Sequence, residues 1–273
     1  MRLPILIFDI ETLTDLKSGA HLYHLDLPEP ALEAALTKLR RQETGMDFQR
    51  LPLHEIVCIS GLGIDENGMM KLFSFSREQY SEAEILTRFL AIFDRKHPTL
   101  VSWNGSQFDI PVILYRAMYH GLSAPGLFDQ GEIDQQKRYN NYQNRYHHRH
   151  VDLMDVMAMF NGRNFQKLDD MAHLLGFPGK RGDGAYHVPE YAKAQQWQQL
   201  TSYCEGDVLN TWLIYLRWLL LKGQLNHHDH GLWIQATIQY LKTQPQHADF
   251  LNVWHETSLQ TVFTASDFSS PTS

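Results

Sequence analysis

Hydrophobic positions change their rhythm along the chain. In the first third they run together or alternate, as in "PILIF", "HEIVCISGLGI" and "MMKLFSFS". This pattern predicts strands over residues 4–10, 54–64 and 69–75, the last two joined by a turn at "ENG". Between the first two strands, "EPALEAALTKLRRQE" carries apolar residues at helical spacing among good helix formers, which predicts an exposed helix. In "SEAEILTRFLAIFDRKHP", Ser81 followed three positions later by Glu84 is a capping-box signature, and the helix closes near Pro98. "TLVSW" reads as a buried strand, and "FDIPVILYRAMYHG" as a helix capped at Gly121. From Asp152 onward apolar residues recur every three or four positions and the chain reads as helices, with "HHDH" around His228 as a solvated turn between two of them.

Strands followed by helices predict an α/β fold in which helices pack on a mixed sheet. No internal repeat or linker divides the chain, so a single domain is expected over residues 1–262, with a polar, mobile tail over 263–273. The stretch 124–150 is the least periodic.

Composition narrows the function classes. A net charge of −7 argues against a protein that coats nucleic acid nonspecifically, though not against a local basic groove. Cys58 and Cys204 are the only cysteines and lack paired spacing, so neither a disulfide framework nor a zinc ribbon is expected, in keeping with a reducing cytoplasm. No apolar run approaches the roughly 18 residues of a membrane span.

The candidate chemistry lies in a few acids. Residues i and i+2 of a strand share a face, so Asp9 and Glu11 in "FDIET" point together while Phe8 and Ile10 face away. Two adjacent like charges repel, and hard cations with oxygen ligands would relieve that repulsion. Asp109 in "NGSQFD" follows a buried strand; it reads either as a further acid of this group or as the N-cap of the next helix. In "YCEGD", Asp207 lies one helical turn beyond Tyr203 on the same face. Gly206 interrupts that helix at a cost of about 1 kcal/mol, which predicts the close approach of another group.

In order and local context these residues resemble the three motifs of the DEDD superfamily of 3'-5' exonucleases. Tyr203 in the third motif points to the tyrosine subgroup, which includes the proofreading exonuclease domain of family B DNA polymerases. The resemblance covers roughly residues 1–220, most strongly at the motifs. It implies a ribonuclease H-like fold with extra C-terminal helices and two divalent cations, Mg²⁺ or Mn²⁺, held by Asp9, Glu11, Asp109 and Asp207. It further implies that Asp9, Glu11 and Asp207 hold the nucleophile-side ion, that Asp9 bridges to the second, and that Asp109 acts largely through water. Tyr203 would orient the attacking water, since a phenol with a pKa near 10 is a poor ligand but a good hydrogen-bonding partner. The implied partner is the 3' end of a nucleic acid, single-stranded DNA before RNA, with a further protein for recruitment left open and no membrane. Asn104 and Phe108 match positions that touch the terminal nucleotide, with Thr12 and Leu13 beside the 3' end; core packing is the alternative for Phe108 and Leu13. A chain of this length has no room for a polymerase, so a freestanding exonuclease in repair or nucleic-acid turnover is expected.

Other features read as accessories. Arg145 and Arg149, beside Lys137, Arg138 and the histidines of "YHHRH", suggest a basic and aromatic surface for a strand, a solvated loop being the alternative. Lys180 and Arg181 in "GFPGKRGDG" suggest a phosphate-contacting loop without Walker spacing. Asp152 reads as a helix N-cap. Two rival functions remain: a retired scaffold that binds without cutting, and an endonuclease of the same fold, which has no use for Tyr203.

Overall fold

The computed structural model describes residues 4–180 and 188–258; the tail expected over 263–273 lies outside them. Its centre is a five-stranded sheet: β1 (Ile5–Thr14), β2 (His54–Ile64), β3 (Met70–Ser76), β4 (Thr99–Ser102) and β5 (His150–Asp152), in the order β3-β2-β1-β4-β5. The pairs β1–β2 and β2–β3 are antiparallel, while β1–β4 and β4–β5 are parallel. This is a mixed sheet with helices packed on it, as the order of strands and helices led us to expect. The first strand runs four residues beyond its predicted end: a bulge between Glu11 and Thr12 shifts the register, and pairing with β2 then continues to Thr14 opposite His54.

Strand alternation sorts β1 between two cores. Leu6, Phe8 and Ile10 pack against Ile85, Phe89 and Phe93 of α3 (Glu82–Lys96) and Val112 and Ile113 of α4 (Asp109–Tyr119). Ile5 and Ile7 join Val208, Trp212 and Leu216 of the long helix over Trp197–Leu221. Asp9 and Glu11 continue the Ile5/Ile7 row, so their residue positions lie on the face covered by that long helix.

The remaining helices are α1 (Leu16–Tyr23), α2 (Glu29–Thr44), α5 (Pro125–Phe128), α6 (Leu153–Met157), α7 (Leu168–Leu174) and α8 (Val188–Lys193), then the long helix as α9, α10 (His227–Lys242) and α11 (Ala248–Ser258). The capping box is present, with the Ser81 side chain accepting from the Glu84 amide and Glu84 from the Ser81 amide. One expectation is corrected: "HHDH" is no turn, because the Asn226 side chain accepts from the Asp229 amide and starts α10 at His227. The aperiodic stretch 124–150 ends in β5, a strand of three residues that periodicity could not register.

A buried charge network fixes α4 against the sheet. Arg116, 3% exposed, donates to Asp15 at 2.5 Å and to both carboxylate oxygens of Glu82 at 2.6 and 2.8 Å. Glu82 also accepts from the Ile56 amide at 2.7 Å, and Asp15 caps α1 through the Ser18 amide. One guanidinium thus joins the end of β1, β2, the start of α3 and α4. Replacing it leaves Asp15 buried without its counter-charge and Glu82 with only His120 Nε2, at 2.7 Å, beside it, which costs more than the pair contributes. Arg116→Met is therefore expected to lower unfolding stability by about 3–5 kcal/mol in urea titration. Arg116→Lys should recover only part of that, because an ammonium cannot reproduce the forked contact.

Candidate active site

Parallel strands β1 and β4 pair only over Ile5–Ile7 and then part. Where they part, a cavity of about 590 Å³ opens, lined by Asp9, Glu11, Asn104, Phe108, Asp109, Lys180, Tyr203 and Asp207 among others. Residues from β1, the loop after β4, α4, the segment before α8 and α9 therefore meet in one space.

The four acids are placed by three elements. Asp9 and Glu11 are carried by the central strand. Asp207 and Tyr203 are one turn apart on α9, whose residues 204–216 are all buried; this explains why the helix shows little amphipathic contrast. Of the two acids in "YCEGD", only Asp207 lines the cavity. Glu205 accepts from Ser74 Oγ at 2.6 Å and pairs with His247 at 2.7 Å, tying α9 to β3 and the C-terminal region. The close approach predicted at Gly206 is not found among the described residues: none of their atoms beyond its own helix lies within 4 Å of where a Cβ would stand.

Asp109 is the first helical residue of α4 and is 3% exposed; the cap position belongs to Phe108, so the N-cap reading does not hold. The loop before it is tightly determined. Asn104 adopts φ 64°, and a Cβ on Gly105 would lie 2.3 Å from Ser102 Oγ. Asp152 accepts from the Asn104 and Ser106 amides, each at 2.9 Å, besides capping α6 through the Asp155 amide. The cap was legible in the sequence, but the grip on the loop was not, because it spans a parallel strand pair.

The electrostatics are those of crowded carboxylates. Burial first, then Asp109 and Asp207, push Asp9 well above the usual carboxylate range. Burial followed by Asp9 and Asp207 does the same to Glu11. Asp109 is pushed up to about 7, mainly by burial, against the pull of its own amide and that of Ile10. Asp207 is raised by burial and pulled back by Lys180. The Lys180 ammonium pairs with Asp207 and donates to Tyr203 Oη at 3.0 Å. Burial opposes its charge, yet Asp207, Tyr203 and Asp9 together hold it protonated. Asn210 positions this lysine, since its amide group bonds both the N–H (3.0 Å) and the C=O (2.8 Å) of Gly179. Carboxylate oxygens of Asp9 and Glu11 and the Cys204 thiol lie within 4.8 Å of one another, a grouping able to hold a metal ion. Sequence reasoning missed Cys204, whose thiol, one residue after Tyr203 on α9, is 3.6 Å from Asp9 Oδ2.

Other expected contacts fall elsewhere. Thr12 Oγ1 bonds His54 Nδ1 at 2.9 Å, and Leu13 packs beside Cys58 and Cys204; neither lines the cavity. Arg145 pairs with Asp155 at 2.7 Å and borders a separate cavity of about 420 Å³, while Arg149 donates to the His97 carbonyl at 2.7 Å. His150 is bonded to Ser102 Oγ at 2.8 Å. Arg181 lies outside the described residues.

The model of a family described as a predicted 3'-5' exonuclease related to the exonuclease domain of PolB matches residues 46–257, more than half of the chain. The match begins after β1, so the placement of Asp9 and Glu11 comes from the structure alone. Among solved structures, the family B DNA polymerase of the hyperthermophilic archaeon Pyrobaculum calidifontis is similar at 17% identity and a TM-score of 0.48, over 81% of this chain. The chain spans 25% of that polymerase. No curated protein matches.

The raised acids make a pH prediction. A carboxyl whose folded pKa exceeds its unfolded value near 3.9 keeps its proton in the fold after the unfolded chain has lost it. Stability contributed below that window is therefore lost as pH rises from about 4 through about 7 for Asp109. With divalent ions chelated, Asp109→Asn is expected to be more stable than the native chain at pH 8, with the advantage shrinking towards pH 5. Urea midpoints at the two pH values measure it.

Proposed function

The chain belongs to the family of predicted 3'-5' exonucleases related to the exonuclease domain of PolB, and we propose that it removes nucleoside 5'-monophosphates from the 3' end of single-stranded nucleic acid, DNA before RNA, by metal-dependent hydrolysis. The observation that carries this reading is the convergence of Asp9, Glu11, Asp109 and Asp207 with Tyr203 in one cavity.

The donor set fits hard divalent cations. Four carboxylates supply oxygen ligands, burial makes their shared negative charge costly, and Lys180 already brings a cation to Asp207. In this reading Asp9, Glu11 and Asp207 would hold Mg²⁺ or Mn²⁺, and Asp109 would assist largely through water. When bound, two such ions would supply an activated water at neutral pH and charge stabilisation on the attacked phosphate.

The chain's own residues do the rest. Burial and then Asp207 raise the Tyr203 phenol above its ordinary value, so it stays protonated and orients the attacking water by hydrogen bonding. The buried Asn104 Oδ1 has no partner among the described residues and lies in a residue bordering the cavity, where a terminal nucleotide could supply one. Phe108 offers an apolar wall for the terminal base or sugar. Lys180, paired with Asp207 in the fold, would be placed to meet a phosphate if Asp207 held an ion instead.

The test is cleavage of 5'-labelled single-stranded DNA and RNA of one sequence with Mg²⁺ or Mn²⁺, resolved on a denaturing gel. A ladder shortening from the 3' end supports the reading and ranks the two substrates. Internal fragments would replace it with an endonuclease, and intact strands with a binding scaffold. Asp9→Ala is expected to reduce cleavage on the order of 10³-fold or more, equivalent to several kcal/mol of transition-state stabilisation. Tyr203→Phe should slow it about 10- to 100-fold while Mn²⁺ affinity, read by calorimetry, stays close to native; a large loss of affinity would make Tyr203 a ligand.

A further inference from the structure

Beside the carboxylate cavity, the segment joining α2 to β2 exposes an aromatic residue that no stability argument requires. Phe48 is 54% exposed, yet its ring is not loosely disposed. It packs on His54 with ring centroids 4.8 Å apart and on Phe108 at 5.5 Å, while His54 meets Phe108 edge-on at 5.1 Å. The backbone beneath it is fixed, because Arg40 Nε of α2 donates to the Phe48 carbonyl at 2.9 Å. The neighbouring Gln49 is only 5% exposed, and among the described residues neither its amide oxygen nor its amide nitrogen finds a partner. Buried polar groups are almost always bonded, so this segment holds hydrogen-bonding capacity that the described residues do not use.

The three rings run without interruption from the cavity to solvent. Phe108 lines the cavity and directly precedes Asp109; His54 is held through Thr12 next to Glu11 on β1; Phe48 is the outermost. We infer that Phe48 is a stacking subsite for a nucleobase of single-stranded nucleic acid, taking a base one or two positions 5' of the terminal nucleotide while the terminal phosphodiester faces the carboxylates. This rests on the exonuclease reading above and extends it to how the strand is held. Stacking suits a chain of net charge −7 whose Arg145 and Arg149 are turned to Asp155 and the His97 carbonyl. Every base has a π face, so an aromatic platform grips a strand without reading its sequence.

The test is a cycle between protein and ligand. Binding of fluorescein-labelled dT12 to the full chain is measured by anisotropy with Ca²⁺, alongside the same oligonucleotide made abasic at the second and third positions from its 3' end. Phe48→Ala is expected to raise Kd for dT12 about tenfold, the loss of one stacked base. The native chain should bind the abasic strand weaker by a similar factor, and Phe48→Ala should add no further loss there. Phe48→Leu, which keeps apolar cover over Phe108 but lacks a π face, should behave like Phe48→Ala on dT12. Equal losses on dT12 and the abasic strand, or native binding by Phe48→Leu, would overturn the subsite and leave Phe48 as packing. If the native chain trims dT12 from its 3' end, that outcome retires the subsite alone; if it neither binds nor trims dT12, the exonuclease reading falls and the subsite with it.

Discussion

Mutual repulsion among carboxylates buried in one space is the constraint to which the rest of the fold answers. Left to themselves, Asp9, Glu11, Asp109 and Asp207 would move apart into water, so each is held by an element that cannot yield. Asp9 and Glu11 sit on the central strand, paired along its length to β2. Asp207 sits in the fully buried stretch of α9. Asp109 opens α4, whose far end is locked by Arg116 to Asp15 and Glu82. The repulsion is only partly offset within the chain, by Lys180 and by main-chain amides such as that of Ile10. The remaining repulsion is what a bound cation would relieve.

The same physics decided what could be read from the sequence. Asp9 and Glu11 were legible because strand alternation is local, and Tyr203 with Asp207 because helical spacing is local. Ser81 and Glu84 announced their helix for the same reason. What escaped depends on contacts between distant segments. Strand β5 has three residues, two of them polar, and exists because β4 offers an open parallel edge. Asp152 looked like an ordinary cap because its second role, holding the Asn104 and Ser106 amides, spans 48 and 46 residues. Gly206 misled by its rarity in helices, although nothing among the described residues demands a glycine there. Arg145 and Arg149 looked available to a ligand only because their acceptors, Asp155 and the His97 carbonyl, could not be foreseen.

Several basic residues of the fold thus serve the protein first. Arg116 is buried among carboxylates, Arg145 is paired, and Lys180 is anchored at Asp207 with its backbone clasped by Asn210 through Gly179. Among the described residues, the basic side chains that line the cavity itself are the exposed Lys167 and the half-buried Lys180.

The placement of the acids also determines how the site is lost. Local opening begins where few buried contacts and many solvent-exposed hydrogen bonds occur, and reaches central strands and buried helices last. Asp9, Glu11, Tyr203 and Asp207 belong to β1 and α9, which form the middle of the molecule, and not to a peripheral lobe that could detach. Heat or denaturant that dissolves this half of the cavity has dissolved the sheet as well. An intact cluster of β1 and α9 side chains is accordingly a gauge of the whole fold, and the protein has no route to a folded state that merely lacks it.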